Sequence, residues 1–536
     1  MIQHTKYLQG LLVVLATLCI VKLSIAITSS SPSYEWFDPL IDVRGMLVDR
    51  HLQDPDQEAM QKAVIEAMIE SLDDPYALFV PDDREDAFIK DLEGDYAGIG
   101  AEVRMVDGNL TIITPMENSP ALAAGVQAGD VVEMIDKEPA KDATIDALID
   151  RLTGPVGTQV VLDVTHKDGS TEELTVIRGH IKSQSVTGLV RRNQQWSWCL
   201  DDVNGVAYIR IRQFLDTTPQ ELLDAIQLAN DAVPIKGLVL DLRENPGGSL
   251  PAAITIANMF LEEGSIVSVS GRRTEARSWD AQPDTMLSDV PMLVLVNNTS
   301  ASASEIVSGS LQAHDRAAVL GMRTFGKGSV QEVMELASGG MLKFTTARYD
   351  LANGRTIDKR LSEDSGLWGV DPNSGLVIRE TQEETLERIR SREPYIVITK
   401  DEPEAFECGD RTWIQEVLKD VQLAEGLLAM QSYLENGEWP TLSDEDPVLA
   451  GVTEEMTELA KERIEILKSL VDIDKQLTSL QGEVVEEVVI PEEVNDDNTT
   501  ITLTDEDGNV IGSWGVSRGD VKGALQSLHL KQSSQE

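Results

Sequence analysis

Residues 237–248 read GLVLDLRENPGG, an apolar run that stops at a Pro-Gly-Gly turn. The segment from Gly237 to Leu242 is almost continuously apolar, as is typical of a strand buried on both faces of a parallel sheet. The glycines after Pro246 favour a tight turn, and the next apolar segment predicts a helix from Pro251 to Glu263. Strand, turn and helix in this order predict an α/β core.

The same alternation of strand and helix extends to both sides of this stretch. Val206 to Ile211 predicts a strand, Pro219 to Ala232 predicts a helix, and Pro291 to Val296 predicts a second buried strand. Residues 97–181 differ, because short apolar segments separated by turns predict a small β-rich domain there. Residues 35–95 space their apolar side chains by three and four positions, which predicts helices.

The charge of the chain excludes one class of partner. Among its 536 residues, 92 are acidic and 45 are basic, which gives a formal net charge of −47. Nucleic-acid binding needs concentrated Lys and Arg, so we expect no nucleic-acid partner. From Val377 onward the sequence holds 37 acidic and 14 basic residues, and we interpret this part as an acidic accessory or oligomerisation region.

The cysteines and histidines do not form a metal-binding pattern. Three cysteines are too few for a disulfide framework, although a single Cys199–Cys408 bridge stays open. The sequence contains no Cys-x-x-Cys or His-x-x-x-His pair, so we expect no structural zinc site.

The N-terminus has the pattern of a targeting segment. The apolar run from Leu11 to Val21 is shorter than the ~20 residues of a membrane span and suits a secretory signal. Ser24 and Ala26 supply small residues at the −3 and −1 positions, which predicts cleavage after Ala26. The alternative is an uncleaved anchor, in which Lys22 reaches the membrane surface. Either way, we expect the body of the protein in the periplasm or cell envelope.

Three segments between residues 241 and 331 combine residue types that suit nucleophilic catalysis. Gly247 and Gly248 allow backbone N–H groups to point into a cleft near a helix start, where an oxyanion is stabilised. Ser302 is expected at the start of a helix, and Lys327 lies between two glycines. Each feature also has a structural explanation: Ser302 and Glu305 match a Ser-x-x-Glu capping box, the glycines match an ordinary turn, and Lys327 matches a surface lysine.

Taken together, residues 241–248, 300–305 and 324–331 resemble the C-terminal processing peptidases, which are serine proteases with a Ser/Lys dyad. The resemblance extends over roughly residues 35–380. It implies a multidomain α/β protein with a crotonase/ClpP-like β-α protease core and an inserted PDZ domain. The expected parts are a signal peptide or anchor at 1–28, a helical N-terminal region at 29–96, the PDZ domain at 97–181, the protease core at 182–380 and the acidic C-terminal region at 381–536.

By position, the resemblance implies that Ser302 is the nucleophile, Lys327 the general base and Gln331 the side chain that orients the lysine. It also implies that the backbone N–H groups of Gly247 and Ala303 form the oxyanion hole. This chemistry needs no metal, nucleotide or other cofactor.

A lysine base must lose its charge to accept a proton. The free amine has a pKa of about 10.4, and burial lowers that pKa because it disfavours the charged form. We expect Phe325 and Val330 to supply this burial around Lys327.

The sequence departs from some relatives after the nucleophile. Those relatives carry an aspartate eleven residues later, where this chain has Ala313, so a dyad with Gln331 is favoured over a triad. His314 and Asp241 leave a Ser-His-Asp arrangement as an alternative that no motif supports.

Gly98-Ile99-Gly100-Ala101 resembles the carboxylate-binding loop of PDZ domains. The resemblance implies that Gly98, Ile99 and Gly100 bind the C-terminus of a substrate, which adds as a strand to the edge of the sheet. A glycine turn before a strand is the structural alternative for these residues.

The function expected from the sequence is that of an exported serine endopeptidase. Its partners would be proteins or peptides with accessible C-termini, and the sequence leaves open an inner-membrane association and a homo-oligomer. One alternative is an inactive peptide-binding scaffold, against which the intact Ser302, Lys327 and Gln331 argue. Another is an acyl-CoA enzyme, against which the missing basic cluster argues.

Overall fold

The computed structural model describes residues 35–85, 88–89, 95–283, 285–362, 366–399, 403, 407–481, 499–504 and 510–516. These described residues divide into two compact units, one within the ranges 1–83 and 331–345 and the other within the ranges 84–330 and 346–536. The expected signal segment, residues 1–28, lies outside the described residues. Among the helices of the described ranges, none is long and apolar enough to cross a membrane.

The described α-helices follow in chain order: α1 Asp38–Arg50, α2 Gln57–Glu70, α3 Pro120–Ala124, α4 Ile145–Leu152, α5 Thr218–Ala232, α6 Leu250–Phe260, α7 Ala303–Ala313, α8 Lys359–Ser362, α9 Gln382–Ile396, α10 Arg411–Glu416, α11 Val421–Asn436 and α12 Pro447–Gln481.

The described strands are β1 Leu78–Val80, β2 Asp95–Gly98, β3 Ala101–Val106, β4 Asn109–Pro115, β5 Val131–Ile135, β6 Glu138–Pro139, β7 Gln159–Thr165, β8 Thr171–Ile177, β9 Gly179–Lys182, β10 Val186–Thr187, β11 Val190–Arg192, β12 Gln195–Ser197, β13 Cys199–Asp201, β14 Val206–Ile211, β15 Gly237–Asp241, β16 Ser265–Ser270, β17 Arg277–Asp280, β18 Met292–Val296, β19 Ala317–Gly321, β20 Ser329–Glu335, β21 Met341–Leu351, β22 Thr499–Thr504 and β23 Val510–Val516.

The first unit contains helices α1 and α2, which confirm helical structure in the region where the apolar spacing predicts it. Strand β1 lies in the same region and was not predicted. Asp56 caps α2 by accepting hydrogen bonds from the N–H groups of Glu58 and Ala59. Strand β1 pairs antiparallel with the segment Met341–Lys343 of the same unit.

The β-rich domain predicted for residues 97–181 lies in the second unit. Its sheet has the order β3-β4-β5-β7-β8, so β3 is at an edge. Helix α4 confirms the helix predicted from Thr144, whose side chain accepts a hydrogen bond from the Ala147 N–H and caps the helix. Leu148 of α4 packs into a core with Leu110 and Leu162 of the sheet.

The larger sheet of the second unit confirms the α/β core. Strands β14, β15, β18 and β19 pair in parallel, and β10 and β13 add antiparallel to β14. Every residue of β15, β18 and β19 is buried because helices cover both faces of the sheet. Leu238 and Leu240 pack on the side of α5, α6 and α7, whereas Val239 packs on the side of α11.

Part of the acidic C-terminal region belongs to this core. Leu423, Leu427 and Met430 of α11 are fully buried and pack with Val239 and Leu293 of the sheet. The interpretation of residues after 380 as an accessory region was therefore wrong for α11. The average charge of the region concealed the apolar face of this helix.

Candidate active site

Ser302 lies in a strained turn between strand β18 and helix α7. Its backbone dihedrals are φ 55° and ψ −113°, a conformation that costs a non-glycine residue about 1–3 kcal/mol. Such strain persists only where the surrounding contacts enforce it, and it concentrates at functional sites. The turn brings the serine to the C-terminal end of a buried parallel strand, where α/β proteins place their ligands.

The glycine turn after β15 lies directly against Ser302. Gly247 has a positive φ of 99°, and a Cβ atom built on it would lie 2.7 Å from the Ser302 Cβ and 2.9 Å from the Ala303 nitrogen. Only glycine allows this approach of the two backbones. The structure therefore brings together Gly247, Ser302 and Ala303, three of the residues predicted for the site.

The predicted oxyanion donor Gly247 already has a hydrogen-bond partner. Its N–H group donates to Asn245 Oδ1 at 2.9 Å, and Asn245 is fully buried. The Asn245 side chain is held in turn by its amide, which donates to the Ile211 carbonyl at 2.8 Å. An oxyanion bound by Gly247 would have to replace the Asn245 oxygen as acceptor.

Glu305 joins Ser302 to the loop that carries Lys327 through one fully buried carboxylate. Its Oε2 accepts the backbone N–H groups of Ser302 at 2.7 Å and Lys327 at 2.9 Å. Its Oε1 accepts the Thr324 hydroxyl at 2.6 Å and the Gly326 N–H at 2.7 Å. Burial raises the pKa of Glu305, while these hydrogen bonds oppose the rise. The capping pattern seen in the sequence thus also fixes the loop that carries Lys327.

Lys327 is half-buried, and both its backbone N–H and its backbone carbonyl group form hydrogen bonds. Its N–H donates to Glu305, and its carbonyl oxygen accepts a hydrogen bond from the Tyr349 hydroxyl. The expected packing of Phe325 was wrong, because this side chain is 45% exposed. Val330, by contrast, packs against the main core cluster.

Gln331 belongs to the first unit, where its side-chain amide donates to the Thr345 hydroxyl at 3.3 Å. Its role as the partner of the lysine amine stays a prediction.

The Ser-His-Asp alternative was wrong. His314 follows α7 at the end opposite to Ser302, across a helix about 16 Å long. Its Nε2 lies 2.7 Å from the Ser265 carbonyl oxygen. Asp241 accepts hydrogen bonds from Tyr208 and Arg243 instead.

A buried ion network under the glycine turn was missed by the sequence analysis. Arg243 is fully buried between two aspartates. Its Nη2 lies 2.7 Å from Asp241 Oδ2, and its Nη1 lies 2.7 Å from Asp420 Oδ1. Burial would raise the pKa of the Asp241 carboxyl, but the Arg243 guanidinium outweighs this effect and holds that pKa well below its usual range. Asp420 also caps α11 by accepting the Leu423 N–H. Its pairing with Arg243 spans 177 positions, which no local pattern could indicate.

The loop that resembles a PDZ carboxylate-binding loop is tightly folded. Gly100 has a φ of 74°, and a Cβ on it would lie 2.6 Å from the Ser119 Cβ. The carbonyl groups of Ile99 and Gly100 accept the N–H groups of Ala121 and Met116. In a trans peptide the N–H group points opposite to the carbonyl group of the same peptide unit. The N–H groups of Gly100 and Ala101 therefore point away from Ala121 and Met116. Gly98 itself pairs with Gly179 between β2 and β9.

A cavity of about 850 Å³ lies between the β-rich domain and the core of the second unit. Three ion pairs cross between these parts: Glu102 with Arg212 at 3.0 Å, Arg104 with Glu393 at 3.0 Å, and Glu117 with Arg191. The side chains of the first two pairs are at least 31% exposed, and exposed ion pairs stabilise a contact by only about 0–1 kcal/mol. The Arg191 side chain of the third pair is only 7% exposed.

The described residues contain no group of three or more His, Cys, Asp or Glu side chains arranged to hold a metal ion. Cys199 and Cys408 are free thiols that lie next to each other.

Comparison with known proteins finds similarity over both the β-rich domain and the α/β core. The model of peptidase family S41 matches residues 205–374, and a PDZ domain model matches residues 97–178. The carboxy-terminal-processing protease of Bartonella bacilliformis is 32% identical over 347 residues, which cover 64% of this chain and 77% of that protein. The carboxy-terminal processing protease CtpA of Bacillus subtilis is 30% identical over 333 residues, or 62% of this chain and 69% of that protein.

Among solved structures, the photosystem II D1 C-terminal processing protease is 28% identical, with a TM-score of 0.37. The match covers 63% of this chain and 86% of that one.

Proposed function

Since this chain belongs to the carboxy-terminal-processing proteases of peptidase family S41, we propose that it is an exported endopeptidase with a Ser302–Lys327 dyad. It is a serine-type peptidase that carries a PDZ domain. The dyad, the export and the choice of C-terminal substrates are the proposed parts.

The observation that carries the dyad is the shared carboxylate of Glu305. Because Ser302 and Lys327 donate their backbone N–H groups to the same oxygen atom, their main chains are held close together. Two segments far apart in the sequence thus meet at one point, with a strained serine on one and a lysine on the other. If Glu305 only capped helix α7, its hydrogen bond with the Ser302 N–H would be sufficient.

In the proposed reaction, a neutral Lys327 amine accepts the proton of the Ser302 hydroxyl as its oxygen attacks the scissile carbonyl. The Ala303 N–H, next to the serine, stabilises the oxyanion, and the Gly247 N–H joins it when it leaves Asn245. The lysine ammonium then protonates the leaving amine. Water hydrolyses the acyl-enzyme with the same lysine as base.

The PDZ domain supplies the proposed selection of C-termini. A substrate adds as a strand to the edge strand β3, and its carboxylate is held by backbone N–H groups in the loop at 98–101. Peptide binding would move this domain relative to the core by breaking two exposed, weak ion pairs and the pair of Glu117 with the largely buried Arg191 side chain.

The proposal of export rests on the apolar run Leu11 to Val21 and the small residues before position 27. We propose a periplasmic or cell-envelope location.

The experiment is mass spectrometry of the products formed from an unfolded substrate protein and from the same substrate without its last five residues. We expect the wild type to cleave the intact substrate faster, and Ser302→Ala to cleave neither. Ser270→Ala, which changes an exposed serine, is the matched control. A wild type that cleaves nothing would favour the scaffold alternative, and an active Ser302→Ala would exclude Ser302 as nucleophile. Equal cleavage of both substrates would overturn the selection of C-termini.

A further inference from the structure

Arg388 reaches the active-site loops from helix α9, beyond the region that the S41 family model matches. Its side chain is 1% exposed and lies between two carboxylates. It contacts Glu380 at 2.7 Å and Glu244 at 2.6 Å. Glu380 precedes α9, whereas Glu244 belongs to the loop that leads to Gly247. The arginine therefore ties the C-terminal helix to that loop.

Glu244 holds two catalytic segments together. Its carboxylate accepts the side-chain amide of Asn297 at 2.7 Å, and its own N–H donates to Asn297 Oδ1 at 3.1 Å. Asn297 directly follows strand β18 and begins the turn to Ser302. Glu244 also has a positive φ of 55°, so its backbone needs support from its contacts.

The next residue continues this connection to the nucleophile. The carbonyl oxygen of Asn245 accepts the Ala301 N–H at 3.0 Å and the Ser304 hydroxyl at 2.9 Å, one on each side of Ser302. A shift of the loop at Glu244 would move this carbonyl and the neighbouring Gly247 together.

The Glu244 carboxylate depends on arginines for its charge. Burial alone would raise the pKa of Glu244, but Arg210 and Arg388 outweigh burial and hold that pKa below its usual range. Arg210, on the core strand β14, has its Nη2 2.7 Å from Glu244 Oε2. Of the two arginines that pair with Glu244, only Arg388 comes from the C-terminal region.

We infer that Arg388 is a positioning residue for peptide hydrolysis: by holding Glu244, it fixes the glycine loop against the turn that carries Ser302. This inference rests on the proposed function. It gives the C-terminal region a role in the reaction that its acidic composition does not indicate.

The test compares Arg388→Gln, the charge-balanced pair Glu380→Gln with Arg388→Gln, and Arg388→Lys in the full chain. Arg390→Gln is the matched control, because Arg390 is exposed on the same helix. Three quantities are measured: kcat and KM for a peptide substrate, the rate at which a fluorophosphonate labels Ser302, and the Kd of a C-terminal peptide. Urea unfolding monitors the fold of each variant.

We expect the first two variants to lower kcat and the labelling rate by about 10–100-fold, as misplaced catalytic groups do. KM and the peptide Kd should stay within about threefold of the wild-type values, because the loop that Arg388 positions stabilises the transition state and does not bind the ground-state substrate. Lysine keeps the charge but cannot bridge both carboxylates as a guanidinium does, so Arg388→Lys should show a smaller loss.

A folded charge-balanced variant with wild-type kcat and labelling would overturn the inference, as would a loss confined to KM. If that variant does not fold, Arg388→Lys decides: a lowered labelling rate supports the inference and a wild-type rate contradicts it. A wild type that neither hydrolyses peptides nor labels at Ser302 would instead overturn the proposed function.

Discussion

The backbone N–H groups of Ser302 and Lys327 donate to the same carboxylate oxygen, Oε2 of Glu305, at 2.7 and 2.9 Å. The two residues are on different loops, and this oxygen is the point at which the loops are joined. The sequence motif around Ser302 therefore holds the lysine loop as well as the start of its own helix.

Replacing Glu305 with Gln should abolish hydrolysis and destabilise the fold. In the wild type, each carboxylate oxygen of Glu305 accepts at least one backbone N–H group. In either orientation of the new amide, its NH₂ group would therefore face a backbone N–H group. A hydrogen bond to a charged group contributes about 1.5–3 kcal/mol, so we expect the free energy of unfolding to fall by at least about 2 kcal/mol. Urea denaturation measures this loss, with the exposed Glu263→Gln as control. Unchanged stability would show that the carboxylate does not hold the two loops.

Replacing Ser302 with Gly should stabilise the protein relative to Ser302→Ala, and we expect both variants to be inactive. Glycine adopts the positive φ of 55° without the cost that alanine shares with serine. The gain should be about 1 kcal/mol, since the more flexible unfolded chain offsets part of the relieved strain. Thermal unfolding of both variants provides the comparison. A lower midpoint for the glycine variant would argue against backbone strain at this turn.

The pKa of His166, in the PDZ domain, should be above the ordinary value of 6.5. The hydrogen bond with the buried Asp130, at 2.7 Å, raises this pKa more than burial lowers it. The imidazolium form is therefore favoured by folding. The stability it adds is fully present below pH 6.5 and is lost as the pH rises through the raised pKa.

An NMR titration of selectively labelled histidines measures this pKa, with the signal assigned by its loss in His166→Gln. In addition, the wild type should lose more stability than His166→Gln between pH 6 and pH 9. A titration midpoint at or below 6.5 would contradict the role of Asp130.

The thiol of Cys408 should react at neutral pH. A hydrogen bond from Cys199 lowers the pKa of Cys408 to about 7, with Arg192 nearby, and raises the pKa of Cys199. Since the thiolate is the reactive form, an aromatic disulfide reagent at pH 7.5 should modify Cys408 faster than Cys199. Stopped-flow absorbance measures the fast phase, which should disappear in Cys408→Ser and slow in Cys199→Ser. A fast phase that survives in Cys408→Ser would contradict this assignment.

Local patterns were sufficient to predict the central elements of the fold. The continuous apolar run at 237–242 indicated strand β15 because both of its faces are buried, and the glycines at 247 and 248 indicated the turn that follows. The helix predicted from Pro251 to Glu263 is confirmed as Leu250–Phe260, with Ser249 as its cap. Here a single short segment determines its own structure.

Contacts between distant segments could not be predicted in this way. Arg388 meets Glu244 across 144 positions and Asp420 meets Arg243 across 177, and neither pair leaves a periodic signal in the chain. The exposure of Phe325 was missed for a related reason: an apolar side chain beside a glycine turn can face either the core or solvent, and only the packing of other elements decides.

The most direct test of the account is the rate at which a fluorophosphonate labels Ser302 in Lys327→Ala, measured from pH 5 to pH 10. In the wild type, labelling should rise with a midpoint well below the lysine value of about 10.4. Lys327→Ala should retain its fold and label at least about 100-fold more slowly, as expected for the loss of a general base. Lys236→Ala, an exposed lysine of the same unit, should behave as the wild type. A folded Lys327→Ala that labels at the wild-type rate across this range would contradict the Ser302–Lys327 dyad.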